Sequence, residues 1–335
     1  MAVPELLDRL LRAHGPAGHE QLAFDVVREA VADVAEVASD SIGNLVARRR
    51  DGDGPLVALF AHLDVIGLAV AHIADDGLLA AHTLGIWRAN VAYGQRVTIR
   101  TAEGDVPGVI ARKVKDSEKV EWEQLYVDVG ARDGDEARSL VAPGDPVVLE
   151  APPLELAAGR VTSRSLDNRA GLYVALETLR RAEGANVAVV AAAQEELGQL
   201  GTAAHALAPD VAVAIDVTYA TDVPGDDAAV GGDHRLGGGP ALFRGPSINP
   251  RVFELLVAAA RAEEIDHTIE TGMRTYTDAD GTFTSRDGIP TGLVSIPLRN
   301  MHSAVEIVEL ADLEACIRLL VAFLGSLEPG TDYSR

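Results

Sequence analysis

The sequence predicts an α/β fold interrupted by a small β-rich insert, and three observations carry that prediction. Apolar runs with the character of buried strands alternate with amphipathic helical stretches towards both ends of the chain. From about residue 67 to 155 the texture changes to short β-rich runs separated by turns. After Pro152-Pro153 the alternation of helix and strand resumes. The expected organisation is a main domain of residues 1–66 plus 156–335, with residues 67–155 as a separate β domain.

The elements follow in order. Residues 6–13 and 21–34 have helical apolar spacing and are split by the breakers Gly15-Pro16-Ala17-Gly18. Gly43-Asn44 then turns into an alternating strand ending near Arg48. Residues 55–61 form an unbroken apolar run that reads as a strand buried on both faces. In the insert, residues 95–100 and 124–129 read as strands, and Asp75-Asp76-Gly77 and Glu103-Gly104-Asp105 supply turns. Beyond it, strands are expected at 185–193, 211–215 and 292–296, and helices at 170–182, 250–264 and 312–324. There is no internal repeat.

Composition narrows the function. Of 335 residues, 29 are basic and 51 acidic, a net charge of −22, and 47% are hydrophobic. Such a chain can bury a sizeable core, which excludes disorder. Its charge repels phosphate backbones and anionic leaflets, so neither nucleic acid nor membrane is expected as a partner. The single cysteine, Cys316, lies on an apolar helical face and reads as a core thiol. The first residues are charged too early for a signal peptide, and no apolar run is long enough to span a bilayer, so a cytoplasmic protein is expected. The Gly-rich loop 231–239 has no phosphate-binding ending, which disfavours nucleotide binding.

Ligands of open α/β sheets usually bind at the carboxyl ends of the strands, so the residues delivered there are the candidates. The first buried strand delivers His62-Leu63-Asp64, in which Asp64 can lie beside His62 and orient its ring through a hydrogen bond. The strand at 185–193 ends in Gln194-Glu195-Glu196, two carboxylates that are costly to bury without a cation. One can ligate while the other acts as a base. Asp216 ends the next strand, and the strand near Val294 leads to His302, with Glu306 four residues later. Asp167 precedes a helix and, taken alone, reads as a helix cap. Together His62, Asp167, Glu196, Asp216 and His302 form a nitrogen and oxygen donor set suited to two divalent ions that share one carboxylate. With Asp167 as the bridge, one ion takes His62 and Asp216, and the other takes Glu196 and His302.

These residues resemble a family: the tetrahedral, or glutamyl and deblocking, aminopeptidases, dinuclear metallopeptidases of which some members carry an endoglucanase label. The resemblance rests on Gly15-Pro16-Ala17-Gly18-His19-Glu20, Asp40-Ser41-Ile42-Gly43-Asn44, Ala61-His62-Leu63-Asp64, Leu166-Asp167-Asn168-Arg169, Gln194-Glu195-Glu196-Leu197-Gly198, Asp216-Val217-Thr218 and Arg299-Asn300-Met301-His302-Ser303. They occur in family order over nearly the whole chain. The resemblance implies a mixed-sheet dinuclear-zinc exopeptidase core, helices on both faces, and a β-barrel-like insert. It implies that His62, Asp167 and Asp216 hold one ion, that Asp167, Glu196 and His302 hold the other, and that Asp64 stands behind His62. Choosing Glu195 rather than Glu196 as general base rests on the resemblance alone. Zinc is the first expectation, with cobalt and manganese next. The chain departs from the family at Val65, commonly Glu, and at Asn300, often aromatic.

The activity so implied is removal of amino-terminal residues from short peptides by a homo-oligomer, from a dimer up to a tetrahedral dodecamer paired through the insert. A dinuclear carboxypeptidase or N-deacylase on a related fold is the rival among enzymes. Those relatives usually carry a later, helix-containing insert. A rival of another class is an inactive metal-binding scaffold, against which the retention of Glu195 with all five ligands weighs.

Overall fold

The computed structural model describes residues 2–49, 51–113, 119–198, 204–225 and 232–334. Gly231, at the head of the Gly-rich loop, lies outside them. An eight-stranded mixed sheet runs in the order Ala35–Ser39, Leu45–Arg49, Ala185–Ala192, Asp53–His62, Val211–Tyr219, Thr291–Leu298, Ala241–Arg244 and Thr268–Thr271. Its four central strands, from Ala185–Ala192 to Thr291–Leu298, are parallel to one another, and Leu45–Arg49 and Ala241–Arg244 flank them antiparallel. They are buried over nearly their whole length, which is why they read as continuous apolar runs.

The alternation of side chains along Asp53–His62 divides the core. Val57, Leu59 and Ala61 face a large cluster closed by helices Glu5–Arg12, Gln21–Val31, Leu166–Arg181, Pro250–Ala262 and Leu310–Gly325. Ala58 and Phe60 face a smaller cluster that includes Ala279 of the short helix Asp278–Thr282. Helices therefore cover both faces of the sheet. Cys316 is fully buried in the larger cluster.

The insert is a closed six-stranded barrel, in the order Gly67–Ile73, Leu79–Leu84, Leu125–Asp128, Gly104–Arg112, Arg96–Thr101 and Pro146–Leu149. It has its own apolar core, into which Ala304 of the main body also packs. A small antiparallel sheet of Leu154–Glu155, Arg160–Ser163 and Glu306–Glu309 follows and sets Ser163 opposite Glu306. No helix among the described residues is long and apolar enough to cross a membrane.

Three differences from the sequence reading have physical causes. The second helix ends at Val31, and Ala35–Ser39 is an edge strand. Its residues have no strong strand preference, and pairing with Leu45–Arg49 decides the matter. The strand expected at 211–215 continues to Tyr219, so Asp216 lies within it. The short strands Ala241–Arg244 and Thr268–Thr271, too brief to show a period, extend the sheet beyond Thr291–Leu298.

Candidate active site

His62, Asp167, Glu195, Glu196 and His302 sit where a regular element ends or the backbone turns sharply, whereas Asp216 lies within its strand. His62 is the last residue of its strand, and Asp167 lies in the first turn of helix Leu166–Arg181. Glu195 and Glu196 form a single 3-10 turn after strand Ala185–Ala192. Ser165, Gln194 and His302 have φ of 68°, 59° and 59°. Left-handed backbone is unfavourable for side chains with a Cβ, and its concentration here reflects local turns that are held by their surroundings.

Asp167 is the hub. Its Oδ1 lies 3.1 Å from His62 Nε2 and its Oδ2 lies 3.2 Å from His302 Nε2. His302 Nε2 is also 3.5 Å from Glu196 Oε2, while His62 Nε2 is 3.8 Å from Asp216 Oδ1 and 3.9 Å from Glu195 Oε2. Donor atoms of His62, Asp167 and Glu196 all lie within 4.8 Å of one another. The fold thus brings residues from five separate segments to one place.

The electrostatics of this cluster favour a cation. Burial pushes the Asp216 carboxyl up to about 8, with Asp167 adding to the effect against His62. Burial pushes Glu195 up to about 9, helped by Asp216, Asp278 and Asp167. Glu196 is raised well above the carboxylate range by burial and Asp167, and its Oε1 is buried without a hydrogen-bond partner among the described residues. Only Asp167 is depressed: burial opposes ionisation, but hydrogen bonds from His302 and His62 outweigh it. Burial also works against a charge on His62, yet the bond to Asp167 and the nearby carboxylates raise its pKa well above normal. A donor set of imidazoles and excess carboxylates, with one carboxylate oxygen left unpaired, fits divalent ions.

Asp64 takes a different part from the one expected. His62 Nδ1 donates to the main-chain carbonyl of Asp64 at 3.0 Å, whereas the Asp64 carboxylate is 3.7 Å from that nitrogen. The carboxylate instead accepts the amides of Glu195 and Glu196 at 2.9 and 3.0 Å. Asp64 lies beyond the strand end, so strand alternation does not govern its direction, and two charge-assisted bonds fix it. The carbonyl bond leaves Nε2 as the ring nitrogen of His62 that faces the cluster.

Other contributors were missed by the sequence reading. Glu20 Oε1 accepts the amides of Gly18 at 2.8 Å and Gln194 at 3.3 Å, so Glu20 and Asp64 together hold three successive amides of the glutamate turn. Arg169 is completely buried nearby; burial and Arg164 pull its guanidinium down to about 9, against Asp64 and Glu20. Glu306 accepts the amides of His302 at 2.9 Å and Asp167 at 3.1 Å, tying two of the segments together. Its spacing after His302 was visible in the sequence, but its partnership with Asp167 was not. Burial works against a charge on His302, but Asp167 and the Ile86 backbone of the insert raise its pKa. Asp278 is buried with neither oxygen hydrogen-bonded among the described residues, and burial raises it to about 6. Of the two departures, Val65 is buried and its backbone bonds to Gly15 and Ala17, while Asn300 bonds to the Val305 carbonyl. A cavity of about 540 Å³ opens beside the cluster and extends past Thr218 and Phe243 to Glu270 and Tyr276.

The pattern of the M42 glutamyl aminopeptidase family matches residues 43–319. The chain is 34% identical to the lysyl aminopeptidase of Pyrococcus furiosus, over 97% of each chain. It is similar to the solved structure of an aminopeptidase from the archaeon Desulfurococcus kamchatkensis, with 35% identity, a TM-score of 0.90, and 96% and 94% of the two chains covered. It is also similar to the Pyrococcus horikoshii TET1 peptidase, described as able to assemble into a tetrahedron or a large octahedral shell, with 28% identity, a TM-score of 0.86, and 96% and 99% covered.

Proposed function

The chain belongs to the M42 glutamyl aminopeptidase family and is a peptide hydrolase; from that premise we propose that it removes single residues from the amino end of short peptides at the cavity beside Asp167. The observation that carries the proposal is the division of Asp167 between two histidines, one to each oxygen, inside a buried excess of carboxylates. We infer two divalent ions per subunit, with zinc expected first and cobalt or manganese also suited. His62, Asp167 and Asp216 would hold one, and Asp167, Glu196 and His302 the other. When bound, such ions would lower the pKa of a water and polarise the scissile carbonyl.

The remaining work belongs to the chain. Glu195, beside the cluster and outside the proposed donor set, takes a proton from the attacking water and returns it to the leaving amine. A group that both accepts and donates is most effective when its pKa lies near the working pH, and a raised Glu195 is brought down towards that range by added positive charge. Asp64 and Glu20 fix the backbone that carries Glu195, and Glu306 fixes the segments that carry Asp167 and His302. Asp64 acts here as a positioning residue.

We also propose that residues 67–155 form a separate assembly domain and that the chain is a homo-oligomer, from a dimer up to a tetrahedral shell. The shell-forming TET1 relative supports this reading. A lone, buried cysteine suits a reducing cytoplasm. A mass-spectrometric time course of a pentapeptide tests the activity: shortening is expected from the amino end and should stop on chelation.

A further inference from the structure

We propose that the cavity beside the metal-ligand cluster is a subsite for a basic side chain, so that lysine or arginine is the residue released, with the Glu270 carboxylate as its partner. The proposal rests on the aminopeptidase reading and adds to it the chemical class of the first residue. Glu270 lies on strand Thr268–Thr271, in register with Phe243 on the adjacent strand, and both line the cavity that holds His62, Asp167 and Asp216. Glu270 Oε1 accepts the Thr218 hydroxyl at 2.8 Å. Its Oε2 is buried with no hydrogen-bond partner among the described residues. An acceptor left in that state carries a desolvation penalty, larger for a charged group than for a neutral one. In the wall of a substrate cavity, that penalty is relieved by a donor that arrives with the ligand.

Geometry separates two cations that a peptide could offer. The α-ammonium is one carbon removed from the scissile carbonyl and must lie among the side chains that surround Asp167. Thr218 is two residues beyond Asp216 on the same strand and the same face, a step of roughly 7 Å. An extended lysine side chain carries its ammonium about 6 Å from its Cα. The step to Thr218 and Glu270 therefore matches the side-chain cation and overshoots the α-ammonium. Phe243, nearly buried, supplies an apolar wall for the aliphatic stem.

One cation of the protein also lines this cavity. Arg274 lies 3.3 Å from Asp280, its guanidinium is 5.4 Å from the centroid of the Tyr276 ring, and its side chain is 61% exposed. It is already neutralised at the rim. Among the described residues, an acidic first residue would find no unpaired cation there, whereas a basic one finds the open oxygen of Glu270.

The test compares kcat/KM of the zinc- or cobalt-loaded protein on the p-nitroanilides of Lys, Arg, Leu and Glu. Lys and Arg should exceed Leu by ~10-fold or more, with Glu slowest. Glu270→Gln should lower the Lys to Leu ratio by ~10-fold or more. Calorimetric titration with free L-lysine and L-leucine reads the subsite without turnover: the wild type should bind lysine ~10-fold more tightly, and Glu270→Gln should lose that difference. A wild type that prefers Leu or Glu overturns the proposal, as does an unchanged ratio in Glu270→Gln. An equal fall on every substrate would place Glu270 on the α-ammonium and also overturn it. Absence of turnover on all free aminoacyl substrates would overturn the aminopeptidase reading, and the lysine titration would still decide the subsite.

Discussion

Loading the metal-free protein with divalent ions should expel protons, and the site predicts how many. At pH 7 a carboxyl whose pKa is about 8, as for Asp216, is protonated about nine times in ten, and one at about 9, as for Glu195, almost always. Ion binding requires Asp216 to ionise and draws Glu195 down through added positive charge. These two alone release roughly one to two protons per subunit, about one from Asp216 and part of one from Glu195. Glu196, raised further, and His62, held protonated, add to that number. Calorimetric titration with zinc at pH 7 in buffers of different ionisation enthalpy measures the release. It should shrink as the pH is raised past about 9, where the carboxyls have already ionised. The same shifts set a stability trend in the metal-free protein. Asp216 and Glu195 have folded-state pKa values above their unfolded values, so their contribution to stability is fully present below about pH 4 and is lost as the pH rises through about 8 to 9. Metal-free protein should therefore lose thermal stability between those limits, and bound ions should restore it. No proton release at pH 7, or a metal-free protein equally stable from pH 5 to 9, would refute the reasoning.

The other predictions are more local. Glu195→Gln should lower turnover by ~10² or more while metal content is kept, whereas His302→Ala should lose metal; a Glu195→Gln protein that loses metal and is active on reconstitution would exchange the two glutamates. Asp64→Asn removes one charged acceptor from the glutamate turn and leaves an amide of Glu195 or Glu196 poorly paired, at a cost of ~1–3 kcal/mol. Thermal unfolding and kcat should both fall, and an unaltered kcat would deny Asp64 its positioning role. Light scattering in moderate salt should give a dimer or larger, with low salt favouring smaller species because −22 charges per subunit repel; a monomer at micromolar concentration would refute assembly.

What the sequence could reveal depended on how local each feature is. The central strands were legible because burial on both faces leaves an unbroken apolar run, as in Leu56-Val57-Ala58-Leu59-Phe60. Strand ends then pointed to His62 and the two glutamates, since a polar residue that closes such a run has few other reasons to be there. Edge strands such as Thr268–Thr271 were hidden because four residues show no period and their pairing partner is distant in sequence. The supporting carboxylates were hidden for a related reason. Glu20 reaches Gln194 and Glu306 reaches Asp167, contacts across 174 and 139 residues that no spacing rule encodes. Asp64 misled because its position beside His62 suggested a local bond, while the amides that claim its carboxylate come from another strand's end.

The central claim is hydrolysis from a free amino end, and the most direct test is a mass-spectrometric time course on one pentapeptide in free and N-acetylated form with the metal-loaded protein. A site that binds a charged α-ammonium discriminates strongly against its absence. The account predicts a ladder shortened one residue at a time from the amino end, with the acetylated peptide cleaved at least ~10²-fold more slowly. Shortening from the carboxyl end, or faster release of acetate than of the first residue, would contradict it.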